Sequence, residues 1–259
     1  MPFADINGQR INYEVTGTGT PVVLITGFAG DITFWNGLVP MLSNNYKVIA
    51  LDNRGVGRTQ YSGKFDTFDL TADILSLMDR LSVFRAHIVG WSMGGCMAQE
   101  LSLAHPERVI SLTLISAYMR RPARSSHMMN NMIRAVKEGA DIDVLSAALQ
   151  GMCLPESVFQ KREEKGTTKN KRPFNATIEG IEDQMRIIDT YDSRKRISGI
   201  SVPTLCIHGL SDIMVPPEIG DEITSLIKGC KAYRIPGAGH TIDPSAYCKR
   251  MIEHFRENE

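Results

Sequence analysis

Cysteine is sparse in this chain, and its spacing builds nothing. The five cysteines, at 96, 153, 206, 230 and 248, are odd in number and form no CxxC pair, which excludes a disulfide framework and a zinc knuckle. Cys96 and Cys206 sit inside apolar runs and read as small buried hydrophobes. Neither sign of charge is in excess: Lys plus Arg total 29 and Asp plus Glu total 29. A nucleic-acid partner, which usually draws on a basic surplus, is therefore not expected. No run approaches the roughly 18 consecutive apolar residues of a membrane helix, so no membrane partner is expected either. Met1 to Arg10 contain an aspartate and no apolar stretch, so a signal peptide is not expected and the cytoplasm is the expected compartment. Glycine (22) and proline (12) are too few for a collagen-like or low-complexity chain.

What remains is ordinary globular composition, 42% hydrophobic and 22% charged over 259 residues, long enough for one large α/β domain without metal or disulfide staples. Short β-branched runs alternate with helical periodicity. Arg10 to Thr16 alternates weakly and reads as an edge strand. Val22–Thr26, Tyr46–Leu51, His87–Gly90 and Val109–Ile115 read as buried strands. Between them, Trp35, Leu38, Val39 and Leu42 fall at helical spacing. Phe68–Leu81 is an amphipathic helix capped by Asp66 or Thr67, and Met93–His105 is a helix stopped by Pro106. The pattern resumes with a strand at Pro203–His208, a helix near Glu218–Ile227, a strand at Ala232–Ile235 and a closing helix from Pro244 to Phe255. Such alternation predicts an α/β fold, a mostly parallel twisted sheet with helices on both faces.

From Met119 to about Ile200 no convincing strand appears, and Asn130–Val136, Val144–Leu149 and Ala176–Ile188 look helical. This stretch reads as a helical cap, 119–200, inserted between core segments 1–118 and 201–259. Within it the charged run from Lys161 to Arg172 reads as a solvated loop.

One turn carries chemistry. Gly90-Trp91-Ser92-Met93-Gly94-Gly95 directly follows a strand and directly precedes a helix. Lifting a serine hydroxyl clear of a sheet needs a sharp strand-to-helix turn, flanked by residues without side chains. The first N–H groups of the following helix have no helical acceptor, so the Met93 N–H is positioned for an oxyanion. Ser92 is the candidate nucleophile. It needs a base, and histidine suits neutral pH. Of six histidines, His240 lies in the flexible Pro236-Gly237-Ala238-Gly239 loop after the last strand, where it can reach over the sheet edge. His87 reads as structural, His105 as a helix cap, His127 and His254 as solvent-facing, and His208 as packed beneath the acid loop. Asp212, just past the strand that ends at His208, is the candidate acid; Asp243 is the runner-up, with Asp189 and Asp192 behind it. The loop Gly27-Phe28-Ala29-Gly30-Asp31 offers Phe28 N–H as a second oxyanion donor, and Asp31 as a helix cap.

At these residues the chain resembles the α/β-hydrolase superfamily, in the branch of 3-oxoadipate enol-lactonase-like lactonases, carboxylesterases and cofactor-free bromoperoxidases. The matching pieces are Thr26-Gly27-Phe28, Asp52-Asn53-Arg54-Gly55-Val56-Gly57-Arg58, the serine turn, Gly209-Leu210-Ser211-Asp212 and Gly237-Ala238-Gly239-His240. They span nearly the whole length. The order Ser92, Asp212, His240 is the order of that superfamily's triad. The chain departs from many relatives in carrying Thr26 before Gly27, and Trp91 before the serine; neither change touches a backbone donor. Asp52 and Arg54 fall at positions that support the loop beneath the site.

The resemblance implies acyl transfer to water, on a small-molecule ester or lactone, with no organic cofactor and no metal. Trp91, Met119, Met128 and Met132 are candidate pocket residues, and Met129 and Met152 of the cap are open to the same reading; flexible thioethers suit an adaptable apolar pocket. Arg120, Arg121 and Arg124 follow the fourth buried strand and could meet an acidic substrate, although solvated arginines are the simpler reading. C–C bond hydrolysis, perhydrolysis and a non-enzymatic small-ligand receptor share the scaffold and stay open, as does a homodimer. Dehalogenation does not, since it needs a carboxylate where Ser92 stands.

Overall fold

The computed structural model describes residues 2–166 and 175–259. Among them, β1 (Phe3–Ile6), β2 (Gln9–Thr16), β3 (Thr20–Ile25), β4 (Tyr46–Leu51), β5 (Ala86–Trp91), β6 (Val109–Ile115), β7 (Thr204–Gly209) and β8 (Lys231–Ile235) form one sheet in the order β1-β2-β4-β3-β5-β6-β7-β8. β2 alone runs antiparallel to its neighbours; the pairs from β4 to β8 are parallel. The inner strands are apolar on both faces: all six residues of β5 and of β7 are buried, as expected for strands covered by helices on both sides.

Two apolar layers result. One, around Ile74, Met97, Leu101 and Ile223, packs α2 (Thr67–Arg80), α3 (Met93–Ala104) and α8 (Pro217–Leu226) on the sheet. The other, around Trp35, Leu38, Met251 and Phe255, packs the 3₁₀ turn Ile32–Gly37, the short α1 (Val39–Leu42) and α9 (Cys248–Arg256) on the opposite face. α2 starts as its sequence predicts: Asp66 accepts from Phe68 and Asp69 N–H, and the Asp69 carboxylate accepts in return from Asp66 N–H, a reciprocal capping box.

The strand 9–16 is not an edge. β1 pairs outside it through the two-residue Asn7-Gly8 turn, where both residues have positive φ (49° and 74°). Asn-Gly is the residue pair this hairpin turn favours, so the signal was present in the sequence. The closing helix is also interrupted: a 3₁₀ turn at Pro244–Ala246 precedes α9. His254, expected to face solvent, is 1% exposed, because α9 packs against β6.

Among the described residues, four α-helices lie between β6 and β7: α4 (Ala123–Lys137), α5 (Ile142–Cys153), α6 (Glu156–Glu164) and α7 (Ile178–Thr190). α6 takes in the start of the charged run read as a loop; 167–172 of that run lie outside the described residues. The two ends of this helical segment are tied together where it leaves the sheet. Arg120 and Asp192 form an isolated antiparallel bridge, and Ser193 N–H donates to the Met119 carbonyl at 2.9 Å.

Candidate active site

β5 ends at Trp91 and α3 begins at Met93, so the whole reversal falls on Ser92, whose backbone sits at φ 53°, ψ −118°. Left-handed backbone at a non-glycine residue costs on the order of 1–3 kcal/mol and needs surrounding structure to hold it. Here the flanking glycines make the turn fit. A Cβ on Gly90 would lie 2.5 Å from the Gly94 carbonyl oxygen, and one on Gly94 would lie 2.2 Å from that of Ile25. No side chain fits at either position without moving backbone.

Ser92 Oγ lies 2.9 Å from His240 Nε2, and His240 Nδ1 lies 2.8 Å from Asp212 Oδ2. The carboxylate can only accept, so Nδ1 carries the proton and Nε2 is left to accept from the serine. Asp212 is fixed in turn: its Oδ1 accepts the Met214 and Val215 N–H groups at 2.9 and 2.8 Å. All three side chains are buried, Ser92 being the most open at 9%. The loop that carries His240 is held through its backbone. Its carbonyl oxygen accepts from Trp91 Nε1 at 3.0 Å and Ser116 Oγ at 2.9 Å, and the next N–H, of Thr241, donates to the Cys153 carbonyl of α5.

The loop after β3 brings Phe28 to the cavity in front of Ser92. The fold of this loop depends on Ala29, also left-handed (φ 54°), whose N–H donates to Gln184 Oε1 of α7 at 2.8 Å. Gln184 Nε2 donates to the Arg54 carbonyl at 3.2 Å, so one buried amide joins the helical segment, this loop and the 52–58 turn. From below, Asp52 accepts from Ile32 N–H (2.7 Å), Arg58 N–H (2.8 Å) and Asn12 Nδ2 (2.8 Å). Burial nonetheless pushes its carboxyl pKa upward, against those three donors. Arg54 makes a two-pronged bond to Asp73 at 2.6 and 2.8 Å. Asp31 caps the following turn by accepting Thr33 N–H at 3.0 Å.

The remaining histidines and acids are elsewhere engaged. His208 Nε2 donates to the Val215 carbonyl at 3.1 Å beneath the acid loop, 3.6 Å from Asp212, and burial lowers its pKa. His87 Nδ1 meets Ser111 Oγ at 2.8 Å within the sheet, and His127 is exposed. Asp243 caps the turn at Pro244–Ala246 by accepting Ser245 N–H. Asp192 pairs with Arg194 at the surface.

A cavity of about 320 Å³ opens onto Ser92 and His240 between the sheet edge and the helical segment. Trp91 lines it and stacks on Phe34, ring centroids 4.0 Å apart. Of the five methionines weighed for it, Met129 lines it, and Met119, Met128, Met132 and Met152 do not. Met119 and Met132 pack into the core, and Met128 is 41% exposed, because α4 turns the opposite stripe inward and presents Met129. Met214 joins it from the acid loop. Cys153 is on the wall too, its thiol pushed up to about 12 by burial, which leaves it protonated at neutral pH. Arg121 is not solvated: it is 8% exposed and lines the same cavity, while Arg120 and Arg124 face outward.

Gln184 and Ser116 escaped the sequence reading. Gln184 had a signal, a polar residue on the apolar stripe Ile181, Met185, Ile188 of α7. Ser116 had none beyond its place after a strand end. Among the described residues, no group of three or more His, Cys, Asp or Glu side chains is gathered that could hold a metal, and no helix is long and apolar enough to cross a membrane.

Comparison with known proteins agrees with this architecture. A family model described as alpha/beta hydrolase fold matches residues 20–242. The structure of the enol-lactonase from Burkholderia xenovorans LB400 superposes with a TM-score of 0.87 at 25% identity, covering 99% of this chain and 100% of that one. The structure of the putative non-heme bromoperoxidase BpoC from Mycobacterium tuberculosis H37Rv does so at 0.87 and 26% identity, covering 96% of each chain. The putative carbamate hydrolase RutD of Azorhizobium caulinodans is 27% identical over 263 residues, 97% of each chain.

Proposed function

The chain belongs to the alpha/beta hydrolase fold family, and from that premise we propose that it is a serine hydrolase of small to medium carboxylic esters or lactones. The observation that carries this reading is the unbroken chain of two hydrogen bonds, 2.9 and 2.8 Å, from Ser92 through His240 to Asp212 at the floor of a cavity. The likeness to an enol-lactonase supports the choice of substrate class.

In this mechanism His240 Nε2 takes the Ser92 proton as Oγ attacks the carbonyl carbon. The carbonyl oxygen becomes an oxyanion between the Phe28 and Met93 N–H groups, where fixed donors stabilise developing charge without reorganising. Asp212 stabilises the imidazolium. The C–O bond to the leaving alcohol then breaks, and His240 gives that alcohol its proton, leaving an acyl group on Ser92. Water, deprotonated by the same nitrogen, attacks the acyl carbon; the acid departs and Ser92 regains its hydrogen. Trp91 and Ser116 act on this step by holding the His240 carbonyl, which fixes the imidazole over the serine.

The test is Ser92→Ala against p-nitrophenyl esters, several lactones and a diketone. Turnover of esters or lactones should fall at least about a thousandfold, with the urea unfolding midpoint near that of the parent. Undiminished ester hydrolysis by the variant overturns the mechanism. Cleavage of the diketone alone would move the chemistry to a C–C bond, and no turnover combined with tight small-ligand binding would make the scaffold a receptor.

A further inference from the structure

The guanidinium of Arg121 is the most poorly paired buried charge near the cavity. It is 8% exposed, and it lines the same cavity as Ser92. Its Nη1 meets Met185 Sδ at 3.5 Å; its Nη2 meets Met129 Sδ and donates to the Ser125 carbonyl at 3.2 Å. Thioether sulfur is a weak acceptor. Among the described residues the carboxylate beside it is Asp189, at 3.7 Å, beyond hydrogen-bond reach, and that group already accepts from Asn130 Nδ2 at 2.8 Å.

Two other arginines of the chain show what a satisfied guanidinium looks like here. Arg54 binds Asp73 with two prongs of 2.6 and 2.8 Å, and Arg196 binds Glu100 with two of 2.8 and 2.6 Å. Arg121, as deeply buried as Arg54, has no such partner among the described residues. A desolvated guanidinium remains protonated at neutral pH and favours a planar anion that it can bind with two parallel bonds. Among the described residues, the other charged side chains on the cavity wall are Arg162 and Asp31, so this part of the lining carries more positive than negative charge.

We propose that Arg121 anchors a carboxylate on the substrate, so that the ester or lactone this site takes is an anion whose second, unreacting acid group points into the cap. This rests on the hydrolase reading above and adds the substrate's charge to it. Arg121 would act in binding, while Ser92 and His240 perform the chemistry.

The test compares two chromogenic esters that differ only at the far end: the p-nitrophenyl monoester of glutaric acid, and p-nitrophenyl 5-methylhexanoate, in which isopropyl replaces the carboxylate. The parent should favour the anion in kcat/KM. In Arg121→Met that preference should drop about 10- to 100-fold, the loss appearing in KM of the anionic ester rather than in kcat. Arg121→Lys, which keeps the charge but not the fork, should retain part of it. An unchanged preference in Arg121→Met overturns the proposal and makes Arg121 a structural tie within the cap. If the parent hydrolyses neither ester, the hydrolase reading fails by itself. Calorimetric binding of glutarate then still decides the anchor: binding lost in Arg121→Met supports it, and binding unaltered or absent refutes it.

Discussion

Replacing Gln184 with Met separates the loop's fold from the chemistry it serves. Methionine keeps the length and helix preference of the side chain but removes both hydrogen bonds, the 2.8 Å bond from Ala29 N–H and the 3.2 Å bond to the Arg54 carbonyl. The buried Arg54 carbonyl, left unsatisfied, costs about 1–3 kcal/mol, whereas the half-buried Ala29 N–H at the cavity can turn to water. Ala29 is already left-handed at φ 54°, a conformation costing on the order of 1–3 kcal/mol, so with its anchor gone the loop should relax. The neighbouring Phe28 N–H then drifts from the position proposed for an oxyanion donor. Full loss of such a donor lowers kcat about 10²–10³-fold; a displaced one should cost about 10- to 100-fold, or roughly 1.4–2.7 kcal/mol of barrier. Steady-state kinetics on p-nitrophenyl acetate should show this fall in kcat with KM changed by less than about threefold. Urea unfolding should show a stability loss of about 1–3 kcal/mol. A variant that loses stability but keeps the parent's kcat would refute the reasoning, since Gln184 would then staple the cap without positioning the loop.

Two further outcomes follow from buried charge. Asp73→Ala strands the Arg54 guanidinium, which is 7% exposed and has that carboxylate as its two-pronged partner; urea unfolding should show a loss of about 3–5 kcal/mol, and a loss below about 1 kcal/mol would contradict the burial argument. His87 is fully buried, and burial, with smaller contributions from His254 and Arg85, pushes its pKa down to about 4, outweighing the Glu259 carboxylate 3.7 Å from its Nε2. The unfolded chain binds that proton near pH 6.5, so its stabilising contribution is whole above that pH and is lost as pH falls toward 4, by about 3 kcal/mol in all. Urea midpoints at pH 7 and 4.5 should therefore differ more in the parent than in His87→Gln; parallel profiles would count against it.

How much of this was legible beforehand depends on how local the cause is. β4 and β6 fall within the bounds their apolar β-branched runs predict, and α2 starts at its cap, because burial on both faces and capping chemistry are written in adjacent residues. The serine turn was legible for the same reason: backbone crowding at Gly90 and Gly94 forbids side chains wherever a strand doubles back into a helix. The hairpin at Asn7-Gly8 was also local, and reading Arg10 to Thr16 as an edge overlooked it. The stripes of the helices between β6 and β7 were legible as helices but not as faces. Methionine is equally at home in core and cavity, so sequence could not say that Met129 faces the cavity while Met119, Met128 and Met132 do not.

By itself, then, the amino-acid sequence determined the alternation of strand and helix, the strained turn at Ser92 and the chain order of the three residues that converge on it. Each follows from steric and hydrogen-bonding demands spanning a few neighbouring residues. Only the tertiary structure decided that Asp212, His240 and Ser92 stand within hydrogen-bond distance, that Gln184 reaches across from the cap to hold Ala29, and that Arg121 is buried against sulfur rather than bathed in water. Those are contacts between segments far apart in the chain. Their geometry is set by how the sheet and the cap pack together, which no short stretch of sequence encodes.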